Sequence, residues 1–375
     1  MDEGEGYAYP LMGKELVIGG EGKTFKKSSN EEWLLNNRAC PISKMEIAEL
    51  VCTPNVLLLE NIMVWSSKNY HGPFRYSDQE VLTQMEEDKL VWLLDSMQSS
   101  DSSARMRAAE VLRALTKFRK SHRIYLGEYT RFIETMLNAL LQKEETKNSY
   151  EEDLYLTMLH VAMHEPNRNA LGESNTLVLS LMNGLEPEKI EVIRNTCLSG
   201  LSMLASMDSN HEKLGGLGLV KWFLNILKRR EDDIMTKNAV RGLLHLCETK
   251  TNVERFIKEG GVKVFADHIS SGKLLLVNNM LSMLVVITKS AKDSVIWRKA
   301  NGIKLMASVL RNRECALKVK ACCIHILENL CLMDPESLRP IREDTELRAC
   351  ISQLGLCKNM SIQTKALHII HMMYN

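Results

Sequence analysis

The chain has 375 residues, 45% of them hydrophobic, and its 48 Lys and Arg residues nearly balance its 47 Asp and Glu residues. This length predicts two domains or one elongated domain, and the charge balance gives no reason to expect nucleic acid or an anionic membrane as partner. No apolar run reaches the roughly 18 residues of a membrane span and the start, MDEGEGYAYP, lacks a signal-peptide pattern, so we expect a soluble cytoplasmic protein, with the nucleus as a second location.

The first predicted element is a β-hairpin around the glycine-rich stretch VIGGEGKTF. Leu16 to Ile18 and Thr24 to Phe25 form its short strands, and the glycines form its turn. The stretch ends in the Gly-Lys-Thr of a phosphate-binding P-loop, but Val17 stands where that motif requires its first glycine. Because no buried strand precedes it either, the pattern favours a hairpin turn over a nucleotide site.

Two helices and a loop are predicted after the hairpin. Ser28 or Ser29 caps a helix over SSNEEWLL, and Pro54 stands at the start of a helix over TPNVLLLENIMVWSSKN. The loop NNRACPISKMEIAEL joins the two helices.

The run from Gly22 to Trp65 resembles the later two thirds of a U-box domain. It contains the family's Gly-x-Thr-aromatic, Trp-Leu, Cys-Pro and Thr-Pro-Asn motifs, at Gly22, Thr24, Phe25, Trp33, Leu34, Cys40, Pro41, Thr53, Pro54 and Asn55. The resemblance implies a small α+β domain over residues 7–76, similar to a RING fold but built without zinc. It therefore implies neither a metal nor a cofactor.

The resemblance also implies an E3 ubiquitin ligase, which docks a ubiquitin-charged E2 enzyme and positions its thioester for a substrate lysine. Such ligases form no covalent intermediate, so no catalytic nucleophile is expected. Carried over position by position, the E2-binding residues are Leu11 in the first loop and Pro41 and Ile42 in the second. Trp33 lies behind the groove between the loops, and Lys44 stands near the E2–ubiquitin junction.

A repeating helical pattern is predicted from residue 77 onward. The apolar residues that open successive middle helices are separated by 42, 45, 42, 43, 41 and 44 residues: Leu90, Phe132, Leu177, Leu219, Val262, Ile303 and Leu347. A drifting period of this size is typical of armadillo and HEAT repeats, whose units stack around a shared core. A long polar loop is expected within LQKEETKNSYEEDLY, residues 141–155.

The three-helix armadillo unit fits the pattern better than the two-helix HEAT unit. A short first helix carries an apolar residue at its end in three repeats, and a glycine then precedes the middle helix: Leu214 with Gly218, Phe256 with Gly261, and Trp297 with Gly302. The third helices are apolar on several sides, as expected for helices packed by both neighbours. We therefore predict a right-handed α-superhelix of about seven armadillo repeats over residues 77–375.

The groove formed by the third helices is the predicted surface for a protein substrate, with Arg241, His245 and Asn329 as its candidate residues. Nuclear-import receptors share this architecture but repeat Trp and Asn along the groove, where this chain has His245, Val286 and Asn329. No basic or acidic stripe in the sequence predicts the charge of the bound peptide.

A U-box followed by armadillo repeats resembles the plant U-box ubiquitin ligases over nearly the whole chain. One departure leaves two hypotheses open. Where the family usually has Cys-Pro-Ile and Asp-Pro-Val, this chain has Tyr9-Pro10-Leu11 and Glu15-Leu16-Val17, with a spacer about three residues shorter. The chain is thus either an E3 ligase or a non-catalytic armadillo adaptor with a degenerate U-box.

The ten cysteines form no C-x-x-C pair, which gives no support to a zinc finger or a redox motif. Most of them lie on apolar faces of predicted helices. We expect these thiols to be reduced and to pack as small hydrophobic side chains.

Overall fold

A computed structural model describes residues 16–18, 24–26, 53–54, 81–142, 147–230, 232–271, 274–290, 294–312 and 314–374. These residues belong to two compact units, Met1–Leu171 and Gly172–Asn375. The glycine-rich turn, the predicted helix over SSNEEWLL and, from residue 55 onward, the second predicted N-terminal helix lie outside the described residues. Among the described residues, no helix is both long enough and apolar enough to span a membrane.

Three short strands form an antiparallel sheet in the first unit, in the order β2-β1-β3: β1 (Leu16–Ile18), β2 (Thr24–Lys26) and β3 (Thr53–Pro54). Val17 pairs with Phe25 on one side and with Pro54 on the other. The predicted hairpin strands are confirmed. The placement of Pro54 at the start of a helix is wrong, because Pro54 lies in an edge strand, a position that tolerates a residue without an N–H.

Five helices follow in the first unit: α1 (Gln84–Ser96), α2 (Ser102–Phe118), α3 (Lys120–Glu128), α4 (Phe132–Leu141) and α5 (Lys147–Ala162). Thr83 and Glu86 form a capping box at the start of α1. The predicted polar loop is wrong from Lys147 onward, because Tyr150, Leu154 and Tyr155 recur on the buried side of α5. Helix α6 (Asn167–Glu173) begins in this unit.

The second unit repeats a short, a medium and a long helix. In chain order its helices are α7 (Asn175–Asn183), α8 (Glu191–Leu204), α9 (His211–Gly216), α10 (Leu219–Arg229), α11 (Asp233–Leu246), α12 (Lys250–Lys258), α13 (Gly261–Ser270), α14 (Leu274–Ser290), α15 (Ser294–Lys299), α16 (Gly302–Arg311), α17 (Leu317–Met333), α18 (Leu338–Glu343), α19 (Thr345–Leu354) and α20 (Met360–Tyr374). Short 3-10 turns, Asp208–Asn210 and Pro335–Ser337, precede α9 and α18.

The helix bounds agree with the predicted repeat. Each of the seven aligned apolar residues lies in a middle helix, namely in α1, α4, α7, α10, α13, α16 and α19. All are buried except Ile303, which is half-buried. The third helices of the second unit, α8, α11, α14, α17 and α20, pack against one another in that order.

A residue in the left-handed region precedes three of the middle helices. It is Gly218 before α10 (φ 92°), Gly260 before α13 (φ 79°) and Asn301 before α16 (φ 51°). The prediction of the turn residue is therefore correct for Gly218. In the other two repeats the predicted residues, Gly261 and Gly302, lie one position after the residue that has the left-handed conformation. Those two glycines are the first residues of their helices, and a Cβ at Gly261 would collide with the Phe256 ring.

Buried asparagines connect consecutive repeats, a feature that the sequence analysis missed. Asn167, Asn210 and Asn252 lie within the first turn of short first helices or directly before it, and each donates a hydrogen bond to the carbonyl six residues earlier. The Asn252 amide also donates to the His211 carbonyl of the preceding first helix, at 2.8 Å. The residues opposite are glycines (Gly127, Gly172 and Gly215), because a Cβ there would overlap each asparagine side chain.

Most cysteines of the described part are buried free thiols: Cys197, Cys247, Cys315, Cys323 and Cys331. Burial raises the pKa of Cys247 and of Cys331 to about 12. Cys247 and Cys331 therefore stay protonated, and the buried thiols pack as small hydrophobic groups, as predicted.

Candidate protein-binding groove

The third helices of the second unit share one solvent-exposed face. Neighbouring third helices and their own middle helices cover the remaining faces, so Ala239, Val240 and Leu243 of α11 are fully buried. On the opposite face of α11, Lys237 and Arg241 are exposed one turn apart, and His245 follows one turn later. We call the exposed face of α8, α11, α14, α17 and α20 the groove face.

The three predicted groove residues all lie on these helices, but they differ in what they offer to a partner. Arg241 is exposed on the groove face. His245 is 34% exposed, and its Nδ1 lies 3.8 Å from Glu248 Oε1. Asn329 donates from Nδ2 to Thr288 Oγ1 at 2.9 Å, so this amide links α17 to α14.

Further polar contacts connect neighbouring third helices and were not foreseen from the sequence. Asn238 Nδ2 of α11 donates to Ser199 Oγ of α8 at 2.9 Å. Ser361 Oγ of α20 lies 3.3 Å from His325 Nε2 of α17. No signal for them is present in the sequence, because the contacting residues stand at different positions of their helices: Ser199 is the ninth residue of α8, Asn238 the sixth of α11 and Ser361 the second of α20.

A buried carboxylate forms the last of these contacts, between α17 and α20. Glu328, whose side chain is 8% exposed, pairs with Lys365 and accepts a hydrogen bond of 2.9 Å from His368 Nδ1. Burial raises the pKa of Glu328, but the hydrogen bonds from Lys365 and His368 outweigh that effect and hold the pKa below its ordinary value. Glu328 is therefore ionised and its charge is compensated within the fold.

Apolar side chains are also exposed on these helices. Val286 of α14 is 48% exposed and Leu332 of α17 is 59% exposed. A face that combines such residues with polar and charged ones suits a peptide that alternates apolar and polar side chains.

The predicted E2-binding residues (Leu11, Trp33, Pro41, Ile42 and Lys44) lie outside the described residues. Their assignment therefore stays a prediction from the sequence.

One group of side chains in the second unit has the composition of a metal site. Asp208, His211 and Glu248 bring ligand atoms within 4.8 Å of one another. However, His211 Nε2, which faces Asp208 at 4.0 Å, also lies 2.9 Å from the Ala205 carbonyl oxygen. This nitrogen is thus an N–H donor to the backbone, and we assign no metal to the group.

Comparison with known proteins finds no family model that matches the chain. The chain is similar to three Arabidopsis thaliana proteins. It is 26% identical to U-box domain-containing protein 9 over 94% of this chain and 77% of that protein. It is 26% identical to putative U-box domain-containing protein 46, over 79% of this chain and 65% of that protein. It is 24% identical to putative U-box domain-containing protein 47, over 84% of this chain and 70% of that protein.

Solved structures resemble the chain in fold. A chain from a structure on the interaction between cadherin and beta-catenin aligns with a TM-score of 0.66 at 15% identity, covering 86% of this chain and 58% of that chain. An engineered protein aligns with a TM-score of 0.62 at 15% identity, covering 76% of this chain and 68% of that chain. The structural neighbours are armadillo-repeat proteins, so the predicted armadillo fold of the helical part is confirmed, as is the resemblance to plant U-box proteins.

Proposed function

We propose that the chain is a U-box E3 ubiquitin ligase that docks a ubiquitin-charged E2 with its N-terminal segment and a substrate protein on the groove face. The observation that carries the proposal is the similarity to an Arabidopsis U-box domain-containing protein over 94% of this chain. A match of that extent takes in both the segment with the U-box motifs and the helical repeats.

In this proposal the N-terminal segment contributes no reacting group; it positions the E2 thioester. A ligase of this kind speeds transfer by holding the E2 thioester in a geometry that a substrate lysine can attack. Leu11, Pro41 and Ile42 are apolar residues in the two loops that would contact the E2, and buried apolar anchors contribute most of the affinity in such interfaces. Trp33 would support the loops from behind, and Lys44 would contact the E2–ubiquitin junction.

Self-ubiquitination with a panel of E2 enzymes tests this proposal. Pro41→Ala and Leu11→Lys should abolish chain formation because they remove parts of the E2 platform. Pro187→Ala and Leu179→Lys are matched controls, because both positions are exposed in the repeats, and should leave chain formation unchanged. No chain formation with any E2, by wild-type protein that is folded by circular dichroism, would overturn the ligase function.

A non-catalytic adaptor is the second candidate function. It is favoured by Tyr9-Pro10-Leu11, which stands where the family usually has Cys-Pro-Ile, and by a spacer to Glu15-Leu16-Val17 that is about three residues shorter than in the family. An adaptor would bind its protein partner on the groove face and would not bind an E2.

A further inference from the structure

The third helices of the second unit are far more basic than the chain as a whole. The full chain has 48 Lys and Arg residues against 47 Asp and Glu residues. The five third helices carry seven basic residues: Arg194, Lys237, Arg241, Lys289, Lys318, Lys320 and Lys365. Their acidic residues are only three: Glu191, Asp233 and Glu328.

Of the acidic residues that begin these helices, Asp233 lies one turn before Lys237 and Glu191 one turn before Arg194, so neither stands next to Arg241 or Lys289. Glu191 and Asp233 are the first residues of α8 and α11, where a carboxylate interacts favourably with the helix N-terminus. Glu328 is buried and is neutralised by Lys365 and His368.

Three basic residues of the groove face have no acidic partner in the described part of the chain: Lys237, Arg241 and Lys289. All three are exposed. Glu248, which follows α11, lies instead beside His245. The groove face therefore presents uncompensated positive charge to solvent.

The basic residues of adjacent helices act on a common region of the groove face. Burial lowers the pKa of His325 on α17, and the nearby Lys365 of α20 and Lys289 of α14 lower it further, against an opposing effect of Glu328. His325 is thus within range of the charge of Lys289 on one neighbouring third helix and of Lys365 on the other. Because Lys365 is paired with Glu328, Lys289 is the charge of this region that remains for a ligand lying along the groove.

We propose that the groove face of the second unit binds an acidic segment of a partner protein, in which Asp or Glu alternates with apolar residues. The acidic side chains would pair with Lys237, Arg241 and Lys289, and the apolar ones would contact Val286 and Leu332. This inference rests on the proposed function in one respect, since it gives the chemical class of the substrate segment that the groove would hold.

A peptide is favoured over nucleic acid as the occupant. Single-stranded nucleic acid is held by bases stacked on aromatic side chains. Along the described third helices of this unit, the only aromatic residue is Tyr374, in the last turn of α20. Exposed aliphatic side chains such as Val286 and Leu332 suit apolar side chains of a peptide instead.

The test is fluorescence anisotropy of the full chain with three labelled probes: a peptide alternating Glu and Leu, the same peptide with Gln for Glu, and an oligouridylate. We expect the Glu peptide to bind more tightly than the Gln peptide, with an affinity that falls as salt rises. The double variant Arg241→Glu/Lys289→Glu should weaken binding of the Glu peptide by about tenfold or more, because attraction becomes repulsion at two positions.

The matched control is the double variant Lys221→Glu/Lys263→Glu, which makes the same charge change at exposed positions of the middle helices α10 and α13. It should leave the affinity for the Glu peptide within about twofold. Equal binding of the Glu and Gln peptides, equal losses in both double variants, or tighter binding of the oligouridylate would overturn the inference.

These measurements use no E2 or ubiquitin, so they separate the two proposals. Charge-dependent peptide binding by a chain that forms no ubiquitin chains would overturn the ligase function and support the groove assignment. Ubiquitin transfer without charge-dependent binding would overturn the groove assignment and support the ligase.

Discussion

Single buried polar side chains hold the repeats together. Asn252 is fully buried, and its amide donates to the Leu246 carbonyl and the His211 carbonyl, each at 2.8 Å. Its Oδ1 accepts a 2.7 Å hydrogen bond from Arg255. One side chain thus satisfies two backbone carbonyls of the repeat before its own, at the start and at the end of that repeat, which a hydrophobic residue of equal size could not do.

We expect Asn252→Ala to lower the free energy of unfolding by about 2–4 kcal/mol, because two buried carbonyls lose their donor. Urea unfolding followed by circular dichroism measures the change. Asn175→Ala, at the exposed first residue of α7, is the control and should change stability by less than about 0.5 kcal/mol. Equal stability of the two variants would contradict the role assigned to Asn252.

Two buried histidines make the first unit sensitive to acid. Burial, with a contribution from Arg119, lowers the pKa of His122 to about 4. Burial, with contributions from Arg123 and Arg113, lowers the pKa of His160 to about 3. Both histidines are neutral in the folded protein and become protonated on unfolding at mildly acidic pH.

Since both folded pKa values lie below the ordinary value of 6.5, stability is fully present above pH 6.5 and falls as the pH drops from there toward 4. Each histidine should contribute a loss of about 1.4 kcal/mol per pH unit in that window. Urea unfolding across the window should show a smaller slope of stability against pH for His160→Gln than for wild type, and an unchanged slope for Gln353→Ala, a substitution at an exposed position that does not titrate. A slope that is the same in His160→Gln and wild type would refute this account.

At the scale of the element, a residue in the left-handed conformation forms the turn between the first and the middle helix of three repeats. Gly218 has φ 92° and ends the turn that joins α9 to α10. Asn301 has φ 51° at the matching position before α16, consistent with the tolerance of asparagine for the left-handed region. The turn geometry is thus retained even where the glycine is not.

Gly218→Ala should destabilise the protein by about 1–2 kcal/mol, because alanine pays the cost of the left-handed conformation. Gly216→Ala is a close control. Gly216 is the last residue of α9, has no positive φ, and a Cβ there would meet only the end of the Arg255 side chain, at 4.0 Å. Thermal unfolding should show a lower Tm for Gly218→Ala alone, and equal Tm values would argue against the turn assignment.

The sequence correctly predicted the helices whose buried apolar residues recur at a regular spacing. The aligned residues from Leu90 to Leu347 placed all seven middle helices. The prediction failed where a local rule competed with burial. The many polar residues from Lys147 to Tyr155 predicted a loop, but the segment is a helix because its tyrosines are buried. Gly261 was predicted to be the turn residue, but it is a glycine because a Cβ there would collide with the Phe256 ring.

At the scale of the whole molecule, the sequence predicted a groove but not its charge. Lys237, Arg241 and Lys289 are scattered among balanced charges in the chain and come together only once the third helices are recognised as one surface. The asparagine contacts were missed for a similar reason, since Asn252 and Gly215 meet only across two repeats. Partners that are distant in the chain leave no pattern in a local window.

The most direct measurement of the central claim is discharge of a purified E2–ubiquitin thioester to free lysine in the presence of the full chain. If the chain is a U-box ligase, wild type should accelerate discharge by about tenfold or more with at least one E2. Pro41→Ala should return the rate to that of the E2 alone, while Pro187→Ala should retain the acceleration. If the wild-type rate equals that of the E2 alone for every E2 in the panel, the ligase function is contradicted, and partner binding on the groove face remains as the function of the protein.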